Sequence, residues 1–149
     1  MPRALLVVLV VALLLAAAAY WALRKRTPAE QLAALRQEVE PQGGVVFETE
    51  LEGRPVAFLA MSCEVYLLDT SGRKVQRTRV LKTGFYLFPT VCLGQSIRFE
   101  DGYVLALLEN RAIGAGGGNT SGGSYRSKDG SHWEKWTKQG WLPVEEAQA

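Results

Sequence analysis

The chain of 149 residues carries 17 lysines and arginines against 15 aspartates and glutamates, with one histidine and two cysteines. One histidine and two distant cysteines exclude the common zinc and iron clusters, and the near balance of charge excludes a strongly basic nucleic-acid-binding chain. Four of the basic residues, Arg3, Arg24, Lys25 and Arg26, flank a single apolar block, so the remainder is slightly acidic and, from residue 27 onward, of a size for one domain and not two.

Ala4 to Leu23 runs for twenty residues without a charge, which at ~1.5 Å per residue matches a hydrocarbon core of ~30 Å. Tyr20 and Trp21 sit at its C-terminal end, where amphipathic rings prefer the headgroup level, and Arg24, Lys25 and Arg26 form a polar stop. The small residues Ala16 to Ala19 offer the alternative of a cleaved signal peptide. The length of the apolar run and the basic cluster directly after it weigh against cleavage. The expectation is an uncleaved transmembrane anchor over residues 1–26, contacting the membrane through residues 4–23. By the positive-inside rule its basic flank favours a cytoplasmic domain. The two cysteines pull the other way, toward an oxidising compartment.

Thr27-Pro28-Ala29-Glu30 carries a capping box with proline at the first helical position, and Leu32, Leu35 and Val39 recur at helical spacing before Pro41 and Gly43-Gly44. A short amphipathic stalk helix followed by a linker is expected over 27–44. From Val45 the period becomes two, with Val45, Phe47, Thr49 and Leu51 alternating against Val46, Glu48, Glu50 and Glu52. The dense apolar run Val56 to Leu68 reads as one or two central strands, followed by Val75 to Leu81, Phe85 to Val91, Gln95 to Phe99 and Tyr103 to Leu108, with Glu100-Asp101-Gly102 as a hairpin turn. This predicts a mainly β domain over 45–149, a small antiparallel sandwich, barrel or meander preceded by the transmembrane helix and the short amphipathic one.

Cys63 and Cys92 each lie in an apolar stretch and either pair as a disulfide or serve as two buried thiols. Arg73, Lys74, Arg77, Arg79 and Lys82 form a run without acids, and Glu48, Glu50 and Glu52 can face Arg77 and Arg79 across a sheet. No aromatic residues interleave with the basic run, so no nucleic-acid partner is expected. Ile113 to Gly123 is too rich in glycine to pack a core and predicts a surface loop over 113–123; it lacks the lysine of a phosphate loop. His132 sits beside a turn with no partner nucleophile, and the carboxylate pairs Glu100-Asp101 and Glu145-Glu146 lie in a turn and the tail. A non-enzymatic protein without cofactor or metal follows.

The segment from 125 to 136 reads as a hairpin, in which Asp129 can accept backbone N–H groups, Gly130 supplies a positive φ, and Trp133 with Tyr125 covers the apolar side. Ser127, Asp129 and Trp133 resemble the Asp-box hairpin of sialidase-type propellers, with Ser131 standing where that motif has glycine and Trp133 one residue early. A single terminal hairpin of this kind on a small β domain is similar to periplasmic immunity proteins that neutralise phospholipase toxins of type VI secretion systems. Ser121-Gly122-Gly123-Ser124-Tyr125 followed by Trp136-Thr137-Lys138 and Gly140 resembles the SGxxY and WxKG motifs of membrane-bound lysozyme inhibitors. That resemblance implies that Ser121 and Lys138 enter a hydrolase cleft.

Both resemblances imply a periplasmic domain on the inner membrane that binds and blocks a toxin or cell-envelope hydrolase. Aromatic and arginine side chains dominate interface hot spots, so the expected partner-binding residues are Ser121, Tyr125, Arg126, Lys128, Trp133, Trp136 and Lys138. The competing expectation for the rings is that Tyr125, Trp133, Trp136 and Trp141 close the end of the domain. The competing function is an accessory subunit of an inner-membrane complex, contacting its partners through the anchor and the 28–40 helix.

Overall fold

The computed structural model describes residues 2–147 apart from 25, 85, 86, 88 and 114–120, and leaves the side chains of 2–6, 22 and 23 undescribed. The first helix, α1, runs Pro2–Leu23, and its side chains from 7 to 21 are all exposed. Among the described residues no helix is long and apolar enough to cross a membrane, so the expected transmembrane span is not shown.

The second helix, α2 (Pro28–Val39), begins at the expected capping box: Glu30 N–H donates to Thr27 Oγ1 at 3.2 Å, and Thr27 N–H donates to Glu30 Oε2 at 2.7 Å. A 3₁₀ turn, Glu40–Gln42, and left-handed Gly43 end it. Leu32, Leu35 and Val39 are buried against the domain, so the helix packs on the first sheet.

Among the described residues nine strands follow, in two antiparallel meanders. One sheet has β1 (Val45–Leu51), β2 (Arg54–Met61), β3 (Glu64–Asp69) and β4 (Gln76–Lys82) in that spatial order. The other has β5 (Thr90–Glu100), β6 (Tyr103–Ala112), β7 (Gly123–Ser127), β8 (Glu134–Thr137) and β9 (Gly140–Pro143), after which a last turn, α3 (Val144–Ala147), closes the described chain. Three hairpins turn on two left-handed residues each, which suits the right-handed strand twist. These are Glu52-Gly53, Ser62-Cys63 and Asp101-Gly102. Cys63 thus lies in the β2–β3 turn with φ 58°, outside the strand expected for it.

The sheets share a core built from Phe58, Ala60 and Val65 on one side and Val104, Ala106, Leu108 and Tyr125 on the other. A disulfide between Cys63 and Cys92 ties the β2–β3 turn to β5. Gln95 strengthens the same junction, accepting from Cys63 N–H at 3.0 Å and donating to the Gly43 carbonyl at 2.6 Å. The first sheet is buried on both faces: Phe58 and Ala60 face the shared core, while Val46, Ala57, Leu59 and Leu68 lie under α2.

Two sequence expectations change. Glu48, Glu50 and Glu52 do not face Arg77 and Arg79, because β1 and β4 are opposite edges of one sheet. Arg77 pairs instead with Glu38 at 3.1 Å, Arg79 with Glu64 at 3.2 Å, and Arg36 with Glu48 at 2.9 Å. The strand expected over Phe85 to Val91 begins only at Thr90; Leu87 is an exposed bend, and residues 85, 86 and 88 lie outside the described residues.

Candidate binding face

The β7–β8 connection folds around Asp129. Its Oδ1 accepts from the N–H groups of Ser131 and His132, each at 2.8 Å, and its Oδ2 lies 2.6 Å from His132 Nδ1. Ser127 donates its hydroxyl to the His132 carbonyl at 2.6 Å and accepts from Gly130 N–H at 2.9 Å. Trp133 closes the turn by donating Nε1–H to the Gly130 carbonyl at 3.3 Å and packs edge-on against Phe58, centroids 6.4 Å apart. Only glycine suits position 130: its φ is 81°, and a Cβ there would meet the Phe58 ring at 2.7 Å. Desolvation alone would raise the Asp129 pKa. The hydrogen bonds from the His132 ring, the His132 and Ser131 N–H groups and Ser127 outweigh it and hold the carboxyl far below the usual range. The bond to Asp129 raises the His132 pKa in turn. Both oxygens of Asp129 are therefore committed to holding the turn.

On the outer face of the β5–β9 sheet, Arg126 is the central side chain. Its guanidinium lies 4.5 Å from the Tyr103 ring centroid and 4.5 Å from that of Trp141, and Nε–H donates to Glu134 at 2.5 Å. Lys128 Nζ also lies over the Tyr103 ring, 5.7 Å from its centroid. Trp136 packs at 61° on Trp141 with centroids 5.3 Å apart, yet remains 56% exposed. An open cleft of about 570 Å³ adjoins this stack, lined among others by Tyr103, Arg126, Lys128, His132 and Glu145.

The expected partner-binding residues divide in two. Arg126, Lys128, Trp136 and Lys138 are on the surface, the first three on or beside this face and Lys138 in the β8–β9 turn. Ser121, Tyr125 and Trp133 are buried, and that corrects their assignment as contact residues. Ser121 Oγ accepts from Asn110 Nδ2 at 2.8 Å, in a buried polar cluster that includes Thr83. Tyr125 is fully buried, its hydroxyl donating to the Ser121 carbonyl at 3.1 Å, and burial pushes its pKa up to about 12. The Ser121 hydroxyl is thus held inside the domain, and not in a position to enter an enzyme cleft. Within the glycine-rich loop, residues 114–120 lie outside the described residues.

Tyr103, one wall of the arginine stack, was not among the expected contacts; Trp141, the other, is one of the four terminal rings weighed in the sequence. Tyr103 follows a left-handed turn and Trp141 faces Trp136 across β8–β9, so the strand phase that carries Arg126 also carries them. Among the described residues no group of three or more histidine, cysteine or carboxylate side chains is placed to hold a metal ion. No family model, curated protein or solved structure matches the chain.

Proposed function

We propose that the chain is a non-enzymatic, membrane-anchored envelope protein whose β domain binds and neutralises a toxin or cell-envelope hydrolase. The observation that carries this reading is the outer face of the β5–β9 sheet, covered by no helix among the described residues, where Arg126, stacked between Tyr103 and Trp141, stands beside exposed Trp136. Stacking and the Glu134 contact hold the arginine in one geometry before any partner arrives, which lowers the ordering cost of binding. Arginine and tryptophan are also the residue types that most often anchor interfaces.

Two further features support the cellular setting. The exposed apolar helix α1 suits a lipid environment better than water, and the Cys63–Cys92 disulfide suits a domain facing an oxidising compartment. The accessory-subunit reading loses one of its two contact surfaces, because α2 spends its apolar side on its own domain.

The test is protection. Cells producing the full chain are challenged with a phospholipase or a muramidase directed to the periplasm, and survival is compared with that of cells producing the double variant Arg126→Ala/Trp136→Ala. Protection by the native chain and at least tenfold lower survival with the variant are expected, with unchanged urea denaturation of both proteins. Equal protection by the variant removes this face from the mechanism; no protection against either enzyme class by the native chain overturns the inhibitor reading.

A further inference from the structure

The outer side of the first sheet holds a second polar site. One side of α2, the β3–β4 connection and the start of β4 enclose an open pocket of about 390 Å³ whose lining includes Arg26, Gln31, Glu38, Arg73, Lys74 and Arg77. Arg77 is paired with Glu38, the one acid in that lining. Arg26, Arg73 and Lys74 have no acidic partner among the described residues.

Gln31 is the buried polar group of this pocket, 4% exposed. Its Nε2 donates to the carbonyls of Arg26, Thr70 and Gly72, each at 3.2 Å, which fixes the orientation of the amide. Its Oε1 is buried without a hydrogen-bond partner among the described residues. A buried acceptor left unmet is costly, and native proteins rarely keep one without a ligand or water to satisfy it. The pocket adjoins the end of α1: Arg26 and Ala34 also line a neighbouring hollow together with Trp21 and Arg24.

We propose that this pocket binds the phosphate headgroup of an anionic phospholipid that carries a free hydroxyl, as a phosphoglycerol headgroup does. The proposal rests on the membrane part of the reading above. The phosphate oxygens accept from the guanidinium groups of Arg26 and Arg73 and from the Lys74 ammonium, the pairing that planar forks and point cations make best. The headgroup hydroxyl donates to Gln31 Oε1 and satisfies the buried acceptor. A choline headgroup offers a cation to a basic pocket and no hydroxyl to the amide, so it is rejected on both counts. Bound in this way, the lipid would hold α2 and the sheet beneath it against the membrane surface beside Trp21, which fixes the direction in which the β5–β9 face points.

The test uses the full chain in neutral detergent, titrated by calorimetry with short-chain phosphatidylglycerol, phosphatidylcholine, phosphatidylmethanol and soluble glycerol 3-phosphate. Phosphatidylglycerol should bind, phosphatidylcholine should not, and phosphatidylmethanol, equal in charge but lacking the hydroxyl, should bind several-fold more weakly. Arg73→Ala/Lys74→Ala should weaken phosphatidylglycerol about tenfold or more while leaving the urea midpoint unchanged, since both side chains are exposed. Equal affinity of the double variant, or of phosphatidylcholine, overturns the site. Glycerol 3-phosphate binding as tightly as the lipid overturns the lipid as its source. Release of the chain from membranes by alkaline carbonate would defeat the anchor reading separately, because the micellar titration does not depend on whether α1 crosses a bilayer.

Discussion

On the outer face of the β1–β4 sheet, α2 buries Leu32, Leu35 and Val39 against Val46, Ala57, Leu59 and Leu68. On the outer face of the β5–β9 sheet no helix among the described residues covers Val91, Leu107 or Trp136, which are 43%, 37% and 56% exposed. The sheets share one topology and one core, so the difference lies in the use of the second face. In β2 the run Ala57 to Ala60 is buried without interruption, as expected of a strand covered on both sides. In β6 burial alternates while the residues from Tyr103 to Leu108 stay apolar, so Leu105 and Leu107 point outward beside Arg126. Apolar side chains kept on an open sheet face mark a contact surface. One sheet has spent its outer face on stability, and the other leaves its outer face open for the proposed partner.

The largest expected effects lie where the two sheets meet. Phe58 is fully buried in the shared core and supports both Trp133 and Gly130. Phe58→Ala should cost about 3–5 kcal/mol in urea denaturation; a loss below about 1 kcal/mol would mean that the sheets do not share one core. The Cys63–Cys92 bridge closes a sequence separation of 29 residues, and the chain-entropy relation assigns such a loop about 3–4 kcal/mol. Cys63→Ser/Cys92→Ser should lower the urea midpoint accordingly, and treatment with a reductant should do the same to the native chain.

The two outer faces can be compared directly by alanine substitution. Leu35→Ala under α2 should cost about 2–4 kcal/mol, because the side chain is buried and leaves a cavity. Trp136→Ala should change stability by less than about 1 kcal/mol while impairing protection, because most of its ring already faces water. Equal stability losses at both positions would erase the distinction between a packed face and a binding face.

Much of this contrast was legible in the sequence, and some of it was not. The α2 capping box and the change of period at Val45 are local signals, and the structure keeps both. The charge pairing was not legible, because periodicity reports which face a residue occupies and not which strand lies beside it. Glu48 finds Arg36 on a helix, and Arg79 finds Glu64 on a neighbouring strand, through topology alone. The binding residues were misjudged for a related reason. Tyr125 and Arg126 are adjacent in sequence, and in a strand adjacent residues point to opposite sides; Tyr125 fills the core and Arg126 meets the open face. Ser121 falls within the glycine-rich stretch 113–123 and becomes a contact residue only through a motif resemblance, which carries no information on burial; Asn110 and Tyr125 draw it inside.

The smallest expected effect concerns pH and the turn that supports the binding face. Asp129 has its pKa lowered in the folded chain, so its contribution is fully present above the ordinary carboxylate value of about 3.9 and is lost as pH falls through the depressed folded value. His132 runs the other way: its raised folded pKa makes its contribution complete below about 6.5 and lost as pH rises through the raised value. The turn is therefore firmest between roughly pH 4 and 6.5. The His132 side chain is 93% exposed, so salt screens the pair and the upper limb should be shallow. His132→Gln should flatten that upper limb and, by removing the ring hydrogen bond that helps lower the Asp129 pKa, also reduce the lower limb, whereas Asp129→Asn should flatten both, because the histidine shift originates mainly in the Asp129 carboxylate. Urea midpoints across that range in low and high salt decide it; an upper limb that survives in Asp129→Asn would place its origin in a different group.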